Sequence, residues 1–195
     1  MKFSKSLALA AIGALLAFNV LAATVEINGV KVEDSASVDN VTLQLNGAGT
    51  RYKYGIAKVY VAALYLGKKA ASPEEVVGQP GPKRLSMHML RDVDANEFGK
   101  LMTRGIEDNA AKGEMSKLIP GLIRMGQIFS EQRKMMNGEV ILIDWIPGTG
   151  MIVTAKGKVQ GEPFKEHEFF KAMMSIWLGQ APADFKLKEA LLGNK

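Results

Sequence analysis

The residues best suited to chemistry lie between Leu45 and Leu66. There Gly47-Ala48-Gly49-Thr50-Arg51 reads as a glycine-rich turn feeding an apolar strand that ends Val59-Tyr60-Val61-Ala62-Ala63-Leu64-Tyr65-Leu66. Gly47 and Gly49 let a backbone turn tightly and approach a ligand. A guanidinium at Arg51, set beside an apolar wall, presents a fixed fork of donors to a carboxylate or enolate. The spacing excludes two familiar loops: Gly47-Ala48-Gly49 lacks the third glycine of a dinucleotide fingerprint, and no Gly-Lys-Ser/Thr follows to make a phosphate loop.

Other chemistries find little support. The chain has two histidines and no cysteine. His88 lies on the strand face opposite Met87 and Met89, and His167 sits in the charged run Lys165-Glu166-His167-Glu168, so the pair has no metal-ligand spacing. No metal and no cofactor is expected. Without cysteine and without a Gly-x-Ser-x-Gly elbow, nucleophilic hydrolysis lacks its groups. Glu166 and Glu168 read as a solvated helix face, because an acid/base pair needs two environments that split its pKa values.

The first residues read as a leader. Lys2 and Lys5 precede an apolar run from Leu7 to Val20, and small residues follow at Ala22 and Ala23. The run is shorter than the roughly 20 apolar residues of a membrane span, so residues 1–22 are expected to be a cleaved signal peptide and the protein to be exported to the periplasm. No span is expected after cleavage. What remains, residues 23–195, suits a single domain with a sizeable core. Loss of the leader lysines takes the balance from 25 basic against 20 acidic residues to 23 against 20. That mild charge is scattered and lacks interleaved aromatics, which argues against a nucleic-acid partner. The oligomeric state stays open.

Periodicity supplies the elements that must hold Arg51. Thr24 to Glu33 alternates around Asn28-Gly29, a hairpin signal, and Val41 to Leu45 alternates as another strand. Arg51 to Leu66 gives one or two strands with Gly55 as a bend, and Lys83 to Arg91 gives a half-buried strand. Asp94 with Glu97 resembles a capping box and opens a helix carrying Ala95, Phe98, Leu101, Met102 and Ile106. A second helix starts near Glu114, with Pro120 expected to kink or interrupt it, and a third covers Ile128 to Met136. Glu139 to Ile146 and Met151 to Gln160 form a hairpin; Phe164 to Leu178 and Asp184 to Leu192 close the chain as helices. The order predicts an α+β fold, a large antiparallel sheet covered on one face by helices.

These motifs together resemble the chalcone isomerase-like superfamily. The Gly-x-Gly-x-Arg segment, the strand ending Leu64-Tyr65-Leu66, the Arg91-Asp92 strand end before a helical layer, and Trp177-Leu178-Gly179 with Leu191-Leu192-Gly193 fall in the family's order. The resemblance implies an open-faced β-sandwich. In the family's fatty-acid-binding branch the matching arginine pairs with a tyrosine to hold a carboxylate, which implies a ligand-binding pair of Arg51 and Tyr60. The catalytic branch has threonine at that position, a tyrosine and an asparagine where Met115 and Leu122 fall, and a polar residue that Ser175 or Ile176 would replace.

The resemblance therefore implies a non-catalytic binder of a fatty acid or similar apolar acid, with Arg51, Tyr60, Gly47, Gly49, Met115 and Ser175 at the ligand. Arg51 and Tyr60 are nine positions apart. On one continuous strand they would face opposite ways, whereas a bend at Gly55 would let them meet. Methionines at 102, 115, 125, 173 and 174 suit either an adaptable cleft or a plain core. The alternatives are an intramolecular lyase in which Arg51 stabilises a developing anion, and a structural or partner-binding envelope protein.

Overall fold

The computed structural model describes residues 24–194, so the leader expected at 1–22 lies outside the described residues. β1 (Thr24–Ile27) and β2 (Val30–Glu33) form the hairpin signalled by Asn28-Gly29, and both turn residues take the positive φ that a two-residue primed turn requires. β3 (Ser35–Val38) turns through Asp39 and Asn40, again at positive φ, into β4 (Val41–Lys53). Here expectation and structure part. The glycine-rich segment is not a turn: Gly47 to Arg51 pair with Leu64 to Tyr60 of β5 (Ala57–Leu66) in an antiparallel ladder, with bulges beside Asn46 and after Arg51. The chain reverses later, at Tyr54-Gly55.

α1 (Pro73–Gly78), capped by Ser72, leads to β6 (Lys83–Met89) and the short β7 (Val93–Asp94). Asp94 then caps α2 (Ala95–Glu107) as its sequence signals, its carboxylate accepting the Glu97 N–H at 2.9 Å. α3 (Met115–Ser130) runs on through Pro120 and absorbs the start of the expected third helix. Pro120 and Ser116 are exposed, so the Ser116 carbonyl that proline leaves without its helical partner can reach water. Arg133 then takes positive φ and β8 (Lys134–Met135) pairs with β7, so no helix continues to Met136.

β9 (Val140–Ile146) and β10 (Gly150–Ala155) form the last large hairpin, and Lys156-Gly157 splits off β11 (Lys158–Val159) from what sequence alone reads as one strand. α4 (His167–Leu178) begins later than Phe164, because the Phe164 backbone is held by Met151 in an isolated bridge. α5 (Phe185–Leu191) starts at its Asp184 cap.

The main sheet has seven antiparallel strands in the order β11-β10-β9-β6-β5-β4-β3. β5, near its middle, is buried on both faces. Tyr60, Ala62, Leu64 and Leu66 join the core under the helices, while Val61, Ala63 and Tyr65 join a smaller core with Val32, Val38 and Leu43 under the β1–β2 hairpin. That double burial explains its nearly unbroken apolar sequence. α4 is the hub of the helical layer: it touches α1, α2, α3 and α5, and Phe170, Met173 and Trp177 are almost fully buried. The expected α+β architecture is the observed one. Among the described residues no helix is long and apolar enough to span a bilayer.

Candidate functional site

The β4–β5 hairpin settles how Arg51 and Tyr60 are related. The two residues face each other across the ladder, and directly opposed residues of an antiparallel pair point to the same side of the sheet. That side opens on a cleft of about 390 Å³ between the hairpin, α2 and the C-terminal segment. Val59, Tyr60, Phe98, Met102 and Ile176 give it an apolar lining, with the Phe98 ring edge-on to both Tyr60 and Phe129. Gly105 keeps α2 close to α4 here, since a Cβ would come within 3.0 Å of the Ile176 side chain.

Tyr60 is buried, and its hydroxyl oxygen accepts the Trp177 Nε1–H at 2.9 Å. Burial pushes its pKa above the usual tyrosine value; the Trp177 hydrogen bond and the Arg51 guanidinium pull the other way, and the Asp184 carboxylate adds to the rise. The hydroxyl therefore stays protonated at neutral pH. With its oxygen serving Trp177, its hydrogen is free to donate, and no acceptor takes it among the described residues.

The charges around the cleft are unevenly satisfied. Asp94 caps α2, Glu97 pairs with Lys53 at 3.0 Å, Asp92 pairs with Lys134 and accepts the Asn137 N–H, and Asp108 lies 3.8 Å from Arg104. The carboxylates thus have partners. Arg51 has none: its guanidinium donates to the neighbouring Tyr52 carbonyl, and no carboxylate lies within ion-pair distance among the described residues. A half-buried guanidinium without a counter-ion, beside a protonated hydroxyl and above apolar side chains, suits the head group of an amphiphilic anion.

The chalcone isomerase-like family profile matches residues 23–193. The chain belongs to the chalcone isomerase-like family. The solved structure of the Arabidopsis thaliana fatty-acid binding protein AtFAP1 is similar to it, with a TM-score of 0.66 over 87% of this chain and 96% of that one at 15% sequence identity, a likeness that shows the fold. No curated protein sequence matches the chain.

Within this chalcone isomerase-like fold, four of the residues expected at the ligand do not line this cleft. Gly47 and Gly49 sit under α5: a Cβ at Gly47 would stand 2.0 Å from the Ala190 carbonyl oxygen, and one at Gly49 would stand 2.7 Å from the Ala190 Cβ. Their missing side chains admit a helix, not a ligand. Met115 packs at the start of α3 against the main core and does not line the cleft. Ser175 faces a separate, smaller groove between α3 and α4 and donates to the Ala172 carbonyl at 2.7 Å, while its neighbour Ile176 reaches the cleft. Of the methionines, Met102 lines the cleft; Met125, Met173 and Met174 are core.

Three supporting residues went unassigned from sequence. Trp177 orients Tyr60, and only its place in the C-terminal helix motif hinted at a role. Asn109 grips the cleft wall through both Ala181 backbone groups at 2.9 Å. Asp184 caps α5 and accepts the Tyr52 N–H at 3.0 Å, tying that helix to the strand that carries Arg51.

Proposed function

We propose that this chain is an exported, non-catalytic binder of an apolar acid, held in the cleft beside Arg51. The observation that supports this reading best is the pairing of an arginine that lacks a carboxylate partner with a buried, protonated Tyr60 over an apolar lining. Arg51 and Tyr60 hold the carboxylate, and the tail lies along Val59, Phe98, Met102 and Ile176. Burial of that tail stabilises the complex by about 0.8 kcal/mol per methylene. The fold shared with AtFAP1, a fatty-acid binding protein, agrees with this ligand class. Export rests on the Lys2 to Ala23 leader pattern, and residues 23–195 form the mature domain in this reading. The lyase alternative gains no observation of its own.

Native mass spectrometry of the protein from its own host, followed by extraction, tests the reading. A stoichiometric acidic lipid, absent from Arg51→Ala, is the expected result. Binding of acids and of their matching alcohols should also diverge, with only the acids weakened by Arg51→Ala; equal loss for both would sink the clamp.

A further inference from the structure

The β4–β5 hairpin continues past the cleft into a tip made of Tyr54, Gly55 and Ile56. Tyr54 and Ile56 are 87% and 83% exposed, more than any other large apolar side chain among the described residues. Tyr54 also holds φ 55, a conformation that favours asparagine or glycine and is uncommon for a bulky residue. Among the described residues, the other non-glycine residues at positive φ are all polar: Asn28, Asp39, Asn40, Arg133 and Lys156. The Lys53 Nζ lies 5.5 Å from the centroid of the Tyr54 ring, a contact that leaves the ring exposed. Lys58 flanks the tip without an ion pair among the described residues, while Lys53 on the other side is paired with Glu97 at 3.0 Å. Beside it α5 begins with Phe185, 66% exposed, and Lys186, joined to the hairpin through the bond between Asp184 and Tyr52.

We propose that this tip docks the protein on an anionic lipid bilayer, with Tyr54 and Ile56 entering the headgroup region and Lys58 and Lys186 meeting lipid phosphates. An aromatic and an aliphatic side chain among lysines is the composition that partitions to such an interface. Protein-binding patches, by contrast, are depleted in lysine at their centres. The tip is continuous with the cleft: three residues along the strand, about 10 Å, separate Tyr54 from Arg51. A docked tip would bring the cleft mouth to the membrane surface, where an apolar acid partitions. The purpose of docking rests on the cleft reading, but docking itself is measurable without ligand.

Vesicle flotation of the protein purified from its own host tests it. Binding is expected to vesicles of equal parts phosphatidylcholine and phosphatidylglycerol, to be weaker on phosphatidylcholine alone, and to fall as salt is raised. Tyr54→Asn combined with Ile56→Ser should reduce the bound fraction at least about tenfold, and asparagine suits the positive φ, so folding is preserved. Ile123→Ser, which removes an exposed apolar side chain on α3, should change nothing. Absence of binding to the anionic vesicles, equal binding by the tip variant, or equal loss in Ile123→Ser would each overturn the proposal. Acid binding in lipid-free buffer should be unchanged in the tip variant; its loss from wild type and variant alike would overturn the cleft reading and leave the docking result standing.

Discussion

From Leu45 to Gly49, β4 lies beneath α5; from Arg51 to Lys53, the same strand runs along an open cleft. The first half is closed by backbone. Asn46, buried at the bulge, donates to the Leu191 and Ala70 carbonyls at 2.7 and 2.9 Å and accepts the Ala70 N–H, while Gly47 and Gly49 let the helix come down onto the strand. The second half is held at its edge by Asp184, which joins the start of α5 to Tyr52. One helix is thus fastened to one strand at both ends, and the cleft begins where that contact stops. In Gly-x-Gly-x-Arg the glycines set the position of a helix and the arginine uses the space that the helix leaves. The two halves of one short motif therefore answer to different constraints.

Substitution should separate them. Gly47→Val places a side chain against the Ala190 carbonyl oxygen, and backbone cannot give way as a flexible side chain can. Overpacking of this kind costs about 3 kcal/mol, read as a lower midpoint in urea unfolding. Wherever the variant remains folded, acid affinity should stay within a few-fold of wild type. A large loss of affinity without loss of stability would show that the glycines belong to the site after all.

The converse is Arg51→Ala. Charge-assisted hydrogen bonds contribute about 1.5–3 kcal/mol, so acid binding measured by calorimetry should weaken at least tenfold. Unfolding free energy should move by less than about 1 kcal/mol, because the side chain is half exposed and has no ion pair to lose. A severe loss of stability would make Arg51 structural too, and the contrast between the two halves would disappear.

Much of this arrangement was legible in the sequence. The hairpin at Asn28-Gly29, the Asp94 cap and the alternation of Met87, His88 and Met89 rest on local rules, and local rules were obeyed. The glycines misled because two different needs, a turn and a close helix contact, leave the same residue in sequence. Only the ladder from Gly47 to Arg51 tells them apart. The same ladder resolves Arg51 and Tyr60, whose separation of nine positions means opposite faces on one strand but a facing pair across a reversal at Tyr54-Gly55. Met115 and Ser175 fall outside the cleft because a helix presents neighbouring residues to different surroundings. One step from Ser175 to Ile176 exchanges a surface groove for the cleft.

Tyr60→Phe tests how far the open half depends on the core beneath it. The change leaves the buried Trp177 Nε1–H without its acceptor, a cost of about 1–3 kcal/mol in unfolding free energy. Acid affinity should fall less than in Arg51→Ala, since a neutral donor is lost and the guanidinium stays. A loss equal to that of Arg51→Ala would mean that the hydroxyl positions the guanidinium, making the two residues one unit.

The smallest effect lies on the opposite face of the sheet, where His88 pairs with Val61 of β5 and points away from the helices. Burial holds its pKa below the usual histidine value, and no carboxylate forms an ion pair with it among the described residues. The unfolded chain therefore binds the proton more readily than the folded one. Its stabilising contribution is complete above the unfolded pKa of about 6.5 and is lost as pH falls through the lower folded value. His88→Gln should flatten the stability profile in that window, as followed by urea midpoints across pH. Acid binding at neutral pH should be unchanged, because the sheet separates His88 from Arg51. A joint loss of the pH dependence and of acid affinity would show that the two faces of the sheet communicate through β5, and the one-sided cleft would have to be redrawn.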